Sequence, residues 1–182
     1  MKKALLILAE GFEDVEAVTA SDILRRAGVA VTTAGLSEGP VTGGRGTRVL
    51  PDEPLAKAKG GEYDALVLPG GGKGADRLAA STVVRDLILS YHKAGKVVAA
   101  ICAAPAVVLA PTGILEGKKV SGFPGTESGF PSSAVVSTDS VVVDGNLITS
   151  RALGTALAFS LALAEKLVGR ETSENVRRSV LG

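Results

Sequence analysis

The sequence predicts an α/β fold, a doubly wound sandwich in which helices cover both faces of a mostly parallel sheet. Three runs, at 4–9, 63–68 and 97–101, are almost entirely apolar, which is typical of strands that are covered on both faces. Segments with helical spacing alternate with these runs, and glycines follow most of them. Alternation of strands with helices favours a parallel sheet over an antiparallel one.

Length and composition limit the classes of protein that the chain can belong to. Its 182 residues suit one domain with a substantial core, which we expect to span 1–182. Twenty basic and 19 acidic residues leave a net charge of +1 and, with only 3% aromatic residues, give no case for binding nucleic acid. A single cysteine and a single histidine argue against a disulfide and against a metal site. We therefore expect a cytoplasmic protein without metal or cofactor.

The N-terminus resembles the start of a signal peptide, since Met-Lys-Lys precedes the apolar run 4–9. The run is too short for that function, and Glu10, Glu13 and Asp14 follow at once. We interpret it as the first buried strand. No run approaches the length of a membrane span, so no membrane contact is expected.

The remaining elements of the first half follow from spacing and from glycine positions. Apolar residues recur near helical spacing in 14–27, and Gly28 ends that segment. Residues 37–61 are rich in glycine, proline and charge, and predict only short pieces. We expect strands at 4–9, 29–34, 63–68 and 97–101, a helix at 14–27, and one or two helices within 76–94.

The second half has a looser pattern. Residues 121–134 form a Gly/Pro/Ser loop, and the pair Asp144-Gly145 marks a hairpin turn. The segment 155–168 is strongly apolar and predicts a buried helix. We further expect short strands at Val120, 135–137, 141–143 and 147–149, and a short last helix at 174–181.

Cys102 lies where the run 97–101 ends and a helix-compatible segment up to Ala110 begins. Strand, tight turn and helix are the geometry of a nucleophile elbow, and Pro105 suits the first turn of the helix. A helix N-terminus lowers the pKa of a cysteine, and the thiolate is its reactive form. The alternative is a small buried hydrophobic residue at a strand end.

Three loops should meet at the carboxyl edge of the sheet, where ligands bind in this class of fold. They carry Glu16, the run Gly70-Gly71-Gly72, and Cys102. The glycine run lacks the spacing of a nucleotide-binding loop, so we interpret it as a place of close backbone approach. The N–H groups of Gly71 and Ala103 could then form an oxyanion hole.

A carboxyl group can lie next to a thiolate without electrostatic repulsion when the carboxyl group is protonated. Burial raises the pKa of a glutamate, which could then donate a hydrogen bond to Cys102. Glu13 and Asp14 are interpreted as caps and as charges that complement the helix dipole, whereas spacing alone does not decide the role of Glu16. His92 lies late in a helix, so no Cys/His dyad is evident.

Five segments together resemble a known family. They keep their order and spacing over nearly the whole chain. They are Ala-Glu-Gly-Phe-Glu-Asp-Val-Glu-Ala (9–17), Asp-Ile-Leu-Arg-Arg-Ala-Gly (22–28), Leu-Pro-Gly-Gly (68–71), Ala-Ala-Ile-Cys-Ala-Ala-Pro (99–105) and Thr-Ser-Arg-Ala-Leu-Gly-Thr (149–155). The chain is similar to the ThiJ/PfpI superfamily, in the branch of the Parkinson-disease deglycase (DJ-one).

The resemblance implies a flavodoxin-like sandwich, a homodimer, and a nucleophilic, oxidation-sensitive cysteine at Cys102. It assigns to Glu16 the role of a protonated glutamate, and to Gly71 and Ala103 the role of backbone N–H donors. It also implies that Arg45 lines the pocket of a dimer partner. The other residues expected to line the pocket are Gly70, Phe123 and Arg151.

The activities that the resemblance implies are glutathione-independent conversion of methylglyoxal to lactate and removal of early glyoxal adducts, as a stress-defence deglycase. The alternative is a non-enzymatic redox sensor with chaperone-like protection. Many members carry a histidine, a candidate proton carrier, where this chain has Phe123 before Pro124. The protease-like branch has a histidine directly after its cysteine; Ala103 stands there, so we do not expect a peptidase.

Overall fold

A computed structural model describes all residues 1–182 and contains a central sheet of seven strands. From one edge to the other the order is β10-β11-β7-β6-β1-β2-β5, and only the β10–β11 pair is antiparallel. The predicted mostly parallel α/β fold is confirmed. The strands are β1 Lys3–Leu8, β2 Ala30–Gly35, β3 Val41–Thr42, β4 Arg48–Val49, β5 Glu53–Pro54, β6 Ala65–Leu68, β7 Val97–Ile101, β8 Lys119–Val120, β9 Val135–Val136, β10 Val141–Asp144 and β11 Leu147–Ser150.

Helices cover both faces of this sheet. They are α1 Asp14–Arg26, α2 Leu55–Ala58, α3 Gly72–Ala79, α4 Thr82–Lys93, α5 Ala156–Val168 and α6 Arg170–Ser179. The buried side chains of α1, α5 and α6 form one core with one face of the sheet, and those of α2, α3 and α4 form a second core with the other face. None of these helices has both the length and the apolar character needed to cross a membrane.

The side chains of β1 alternate between the two cores. Leu6 and Leu8 belong to the core under α1, and Leu5 and Ile7 belong to the core on the opposite face. All four are almost fully buried. A strand with helices on both faces has no polar side, which explains the uninterrupted apolar run in the sequence.

The predicted hairpin is present between β10 and β11. Asp144 pairs with Leu147, which leaves Gly145 and Asn146 as a two-residue turn. Gly145 has a φ of +63°, a conformation that glycine adopts without steric cost.

Two helix starts differ from the prediction. Helix α3 begins at Gly72 rather than at Asp76, so its first residue is the last glycine of the run that was interpreted as a loop. Helix α6 begins at Arg170 rather than at Glu174. Its first turn contains Ser173, which is buried and donates a hydrogen bond to the carbonyl of Leu161 in α5 (2.8 Å). A polar residue at a buried position does not register in an apolar pattern.

The segment after Cys102 also differs from a regular helix. Residues Pro105–Leu109 form a wide π-helical turn, in which the N–H of Ala110 donates to the carbonyl of Pro105, and a short 3₁₀ turn follows at Ala110–Thr112. Further 3₁₀ turns lie at Glu127–Gly129 and Leu153–Thr155. The elbow is therefore followed by five residues of wide helix and three of 3₁₀ helix rather than by a regular α-helix.

The loop between β1 and α1 is held on two sides by backbone hydrogen bonds. The N–H of Gly74 donates to the carbonyl of Gly11 (3.2 Å), and the N–H of Gly44 donates to the carbonyl of Phe12 (2.7 Å). A Cβ on Gly74 would lie 2.8 Å from both Cα and N of Phe12. The absence of a side chain at Gly74 is what lets α3 approach the loop this closely.

We expect alanine to have opposite effects at two glycines of α3. At Gly72 a Cβ has no neighbour within 4 Å, so Gly72→Ala should raise the free energy of unfolding by roughly 0.5–1 kcal/mol through helix propensity. Gly74→Ala should lower it by about 1–3 kcal/mol, because the new Cβ meets backbone that cannot turn away. Urea denaturation of the two variants tests this, and equal stabilisation in both would contradict the close approach.

Candidate active site

The predicted site loops converge at the carboxyl edge of the sheet. β1, β6 and β7 are parallel neighbours in the order β7-β6-β1. β1 leads into the loop before α1, β6 leads into Gly70, and β7 leads into Cys102. The N–H of Cys102 donates to the carbonyl of Ser150 at the end of β11 (3.0 Å), so a fourth strand end reaches the same place.

Cys102 occupies a strained turn. Its φ of +64° lies in the left-handed region, which only one other non-glycine residue of the chain enters, Leu181 near the C-terminus. Such a conformation costs roughly 1–3 kcal/mol and persists only where the surroundings enforce it. Here the N–H bond to Ser150 and a bond from the N–H of Phe123 to the carbonyl of Cys102 (2.8 Å) hold the turn from both sides.

Glu16 lies against Cys102 in the interior. Its side chain is 1% exposed, and Oε2 accepts a hydrogen bond from the N–H of Gly70 (2.8 Å). Oε1 has no hydrogen-bond partner, and the carboxyl group lies close enough to the thiol of Cys102 for each group to change the pKa of the other. A Cβ on Gly70 would lie 2.5 Å from Cβ of Cys102 and 2.9 Å from Oε2 of Glu16. The missing side chain of Gly70 therefore makes the contact between acid and thiol possible.

Burial raises the pKa of Glu16 to about 7, although the hydrogen bond from the N–H of Gly70 and the nearby thiol of Cys102 favour the carboxylate. The charge of Glu13 raises it further. An apolar environment disfavours the ionised carboxyl group. Glu16 thus exchanges its proton in the neutral pH range, where a group that transfers protons needs to titrate.

Burial raises the pKa of Cys102 to about 12, and the facing charge of Glu16 acts in the same direction. The backbone N–H groups of Gly71 and Ala103 act in the opposite direction and lower the pKa of Cys102. The expectation that the position of Cys102 lowers this pKa is wrong, because burial and the charge of Glu16 outweigh the N–H groups of Gly71 and Ala103. When Glu16 carries its proton, its charge no longer opposes the thiolate and its hydroxyl can donate to the sulfur.

The other residues expected at the pocket differ in their contacts and in whether they reach Cys102. Phe123 reaches Cys102 through its backbone, and its side chain is 45% exposed. Arg151 directly follows β11 and donates to the carbonyl of Thr138 (3.3 Å). Arg45 is exposed and lines a cavity of about 420 Å³ with Gly71, but Cys102 does not line that cavity. Its contribution to the pocket of a dimer partner stays a prediction.

Glu13 and Asp14 have different roles, although both were interpreted as caps and as charges that complement the helix dipole. Glu13 caps α1, since its Oε2 accepts from the N–H of Glu16 (2.9 Å). Asp14 is buried and instead accepts from the N–H groups of Arg45 and Thr47 (both 2.9 Å). It anchors the loop that carries Arg45. Nothing in the local spacing distinguishes this role from a charge that complements the helix dipole.

His92 lies in the last turn of α4, shortly before the amino end of β7, whereas Cys102 follows the carboxyl end of that strand. No group of three or more His, Cys, Asp or Glu side chains lies together in a way that could hold a metal ion. The chemistry available at the elbow therefore consists of a thiol, a carboxyl group and backbone N–H groups.

Comparison with known proteins gives consistent results. Residues 2–166 match the DJ-1/PfpI family. The chain is 43% identical to the protein dj-1beta of Drosophila melanogaster, over 99% of this chain and 97% of that protein, whose crystal structure it matches with a TM-score of 0.95. It is 34% identical to the glutathione-independent glyoxalase DJR-1.2 of Caenorhabditis elegans, over 96% and 94% of the two chains. The structure of oxidized Toxoplasma gondii DJ-1 matches with a TM-score of 0.96 at 33% identity, over 100% of this chain and 98% of that chain.

The raised pKa of Glu16 makes the stability of the protein depend on pH. Between the ordinary pKa of 4.5 and about 7, the folded protein keeps a proton on Glu16 that the unfolded chain has released. The contribution of Glu16 to stability is therefore complete below the unfolded pKa and is lost as pH rises through the folded pKa. The full loss is about 3 kcal/mol.

The variant Glu16→Gln does not titrate and should not show this loss. We expect the free energy of unfolding of the wild type, relative to that of the variant, to fall by up to about 3 kcal/mol between pH 5 and pH 8. Urea denaturation at both pH values measures the difference. A difference that stays constant with pH would show that Glu16 titrates at its ordinary pKa.

Proposed function

The chain belongs to the DJ-1/PfpI family, and we propose that it is a cysteine-dependent, glutathione-independent glyoxalase. Its substrate would be a 2-oxoaldehyde such as methylglyoxal, or an early glyoxal adduct that presents the same carbon atoms. The observation that carries the proposal is the buried contact of Glu16 with Cys102, beside the N–H groups of Gly71 and Ala103. A nematode relative that is named a glutathione-independent glyoxalase adds support.

The first step is addition of sulfur to the aldehyde. With the proton on Glu16, the thiolate of Cys102 forms a bond to the aldehyde carbon, and the electron pair of the C=O bond moves to oxygen. The N–H groups of Gly71 and Ala103 stabilise this developing negative charge. Glu16 then donates its proton to the oxygen, which gives a neutral hemithioacetal and a carboxylate.

The second step is an internal oxidation and reduction. The Glu16 carboxylate removes the proton from the former aldehyde carbon and returns it to the former ketone oxygen, which gives an enediol. Glu16 then takes the proton from the hydroxyl group on the former aldehyde carbon and delivers it to the neighbouring carbon. The aldehyde carbon is thereby oxidised to a thioester while the ketone is reduced to an alcohol. Water then cleaves the thioester, which releases the 2-hydroxy acid and restores the thiol, so no external oxidant or cofactor is consumed.

In this proposal Phe123 stands where many family members have a histidine, so the proton carrier must be another residue. The side chain of Phe123 has no proton to give, and His92 lies in α4 shortly before the amino end of β7, whereas Cys102 follows the carboxyl end. Glu16 then carries every proton transfer between the two substrate carbons. This assignment places the whole general acid and base contribution, typically about 10²–10⁴-fold, on one residue.

The experiment is to incubate the purified protein with methylglyoxal in the absence of glutathione and to quantify lactate. We expect lactate from the wild type and none from Cys102→Ser. Glu16→Gln should lower kcat/KM by about 10²–10⁴-fold while Cys102 remains open to alkylation by iodoacetamide.

Two outcomes would count against the proposal. Lactate from Cys102→Ser at the wild-type rate would exclude Cys102 as the nucleophile. Full turnover by Glu16→Gln would exclude Glu16 as the proton carrier.

A second candidate function is redox sensing through the same cysteine. The solved structure of a relative with the same fold, Toxoplasma gondii DJ-1, is of an oxidized form, and Oε1 of Glu16 has no hydrogen-bond partner. Two molecules of peroxide would each transfer one oxygen to Cys102 and leave as water, which gives a sulfinate. The sulfinate could accept hydrogen bonds from protonated Glu16 and from the N–H groups of Gly71 and Ala103.

Intact mass spectrometry after mild peroxide treatment tests the second candidate. We expect a gain of two oxygen atoms that peptide mapping assigns to Cys102 and that Cys102→Ser lacks. A gain at Met1 alone would contradict it. If the wild type also makes no lactate, oxidation of Cys102 becomes the better supported function.

A further inference from the structure

Three hydrogen bonds join Glu13, Gly70 and Glu16 in a closed ring. The N–H of Glu13 donates to the carbonyl of Gly70 (3.0 Å), and the N–H of Gly70 donates to Oε2 of Glu16 (2.8 Å). The ring closes where the N–H of Glu16 donates to Oε2 of Glu13 (2.9 Å). Both glutamates therefore hold the same glycine, one at its carbonyl and the other at its N–H.

The carboxylate of Glu13 has two effects within this ring. It satisfies the N–H of Glu16, which would otherwise lack a partner at the start of the helix, and so fixes where α1 begins. It also places a negative charge within one helical turn of a buried carboxyl group. Glutamate is not among the usual N-cap residues, which are Ser, Thr, Asp and Asn, so a cap alone does not account for this choice.

We propose that Glu13 is a positioning residue that holds Glu16 against Cys102 and, as a fixed negative charge, favours the form of Glu16 that carries the proton. Like charges close to each other disfavour ionisation of the second group. The inference rests on the proposed role of Glu16 as the proton carrier.

Few other groups around Glu16 could influence the protonation of its carboxyl group. The titratable groups that act on its carboxyl are Cys102, on the elbow, and Glu13, at the start of α1. The strand-end loop contributes only the backbone of Gly70. The oxygens of Asp14 are occupied by N–H groups of Arg45 and Thr47.

The test compares two substitutions that separate charge from position. Glu13→Gln removes the charge and keeps an oxygen that can accept from the N–H of Glu16. Glu13→Asp keeps the charge on a residue that caps helices well. Protein labelled with carbon-13 at its glutamate carboxyls reports the protonation of Glu16 by NMR, and the signal is identified by its loss in Glu16→Gln.

We expect the titration midpoint of Glu16 to fall by about half a pH unit in Glu13→Gln, with a thermal midpoint close to that of the wild type. Glu13→Asp should keep the midpoint within about 0.2 units, since its charge is retained. The matched control is Glu10→Gln, which removes one negative charge from the same loop outside the ring, where Glu10 accepts from the N–H of Thr42 (3.0 Å). It should leave the midpoint of Glu16 unchanged.

An unchanged midpoint in Glu13→Gln would overturn the proposal and leave Glu13 as a helix cap only. The same shift in Glu10→Gln would also overturn it, since the effect would then come from net charge. The titration is measured without substrate. Absence of lactate formation by the wild type would therefore refute the proposed activity without deciding this inference.

Discussion

The contact between Glu16 and Cys102 across Gly70 is the constraint on which the site depends. Two buried ionisable groups share this space because Gly70 has no Cβ, which would otherwise lie 2.5 Å from Cβ of Cys102. Above the pKa of Glu16, about 7, and below that of Cys102, about 12, the pair carries one negative charge. Whether that charge lies on oxygen or on sulfur is decided by the position of a single proton. With these two pKa values the charge lies on the Glu16 carboxylate, and the thiolate forms only when a proton moves from the sulfur to Glu16.

The scaffold holds this pair mainly through backbone hydrogen bonds between strand ends. Glu13 donates to Gly70, Gly74 donates to Gly11, and Cys102 donates to Ser150. Backbone contacts of this kind require that no side chain intervenes, which is why glycine lies at the crossing points. The positive φ of Cys102 fits the same scheme, because bonds from two directions enforce a turn that the residue alone would not adopt.

The sequence was most informative where burial leaves a simple pattern. β1 and β7 lie between two cores, so they have no polar side and their apolar runs were evident; Cys102 was found because it ends such a run. The start of α3 was missed because it depends on contact with the loop 9–13, which lies some 60 residues earlier in the chain and leaves no local pattern. The π-helical turn after the elbow was missed as well, since helical spacing does not distinguish a wide turn from a regular one.

Three acids at the start of one helix show why local spacing could not assign their roles. Glu13 caps the helix, Asp14 anchors a loop, and Glu16 faces the thiol. Asp14 and Glu16 are both buried, yet their pKa values move in opposite directions. Burial opposes ionisation of Asp14, but the hydroxyl of Thr47 and the N–H groups of Arg45 and Thr47 together outweigh it and hold its pKa below the usual value. Glu16 receives one backbone N–H, which is too little to offset burial. The number of donors that face a buried carboxyl group therefore decides which acid remains an anion and which can carry a proton.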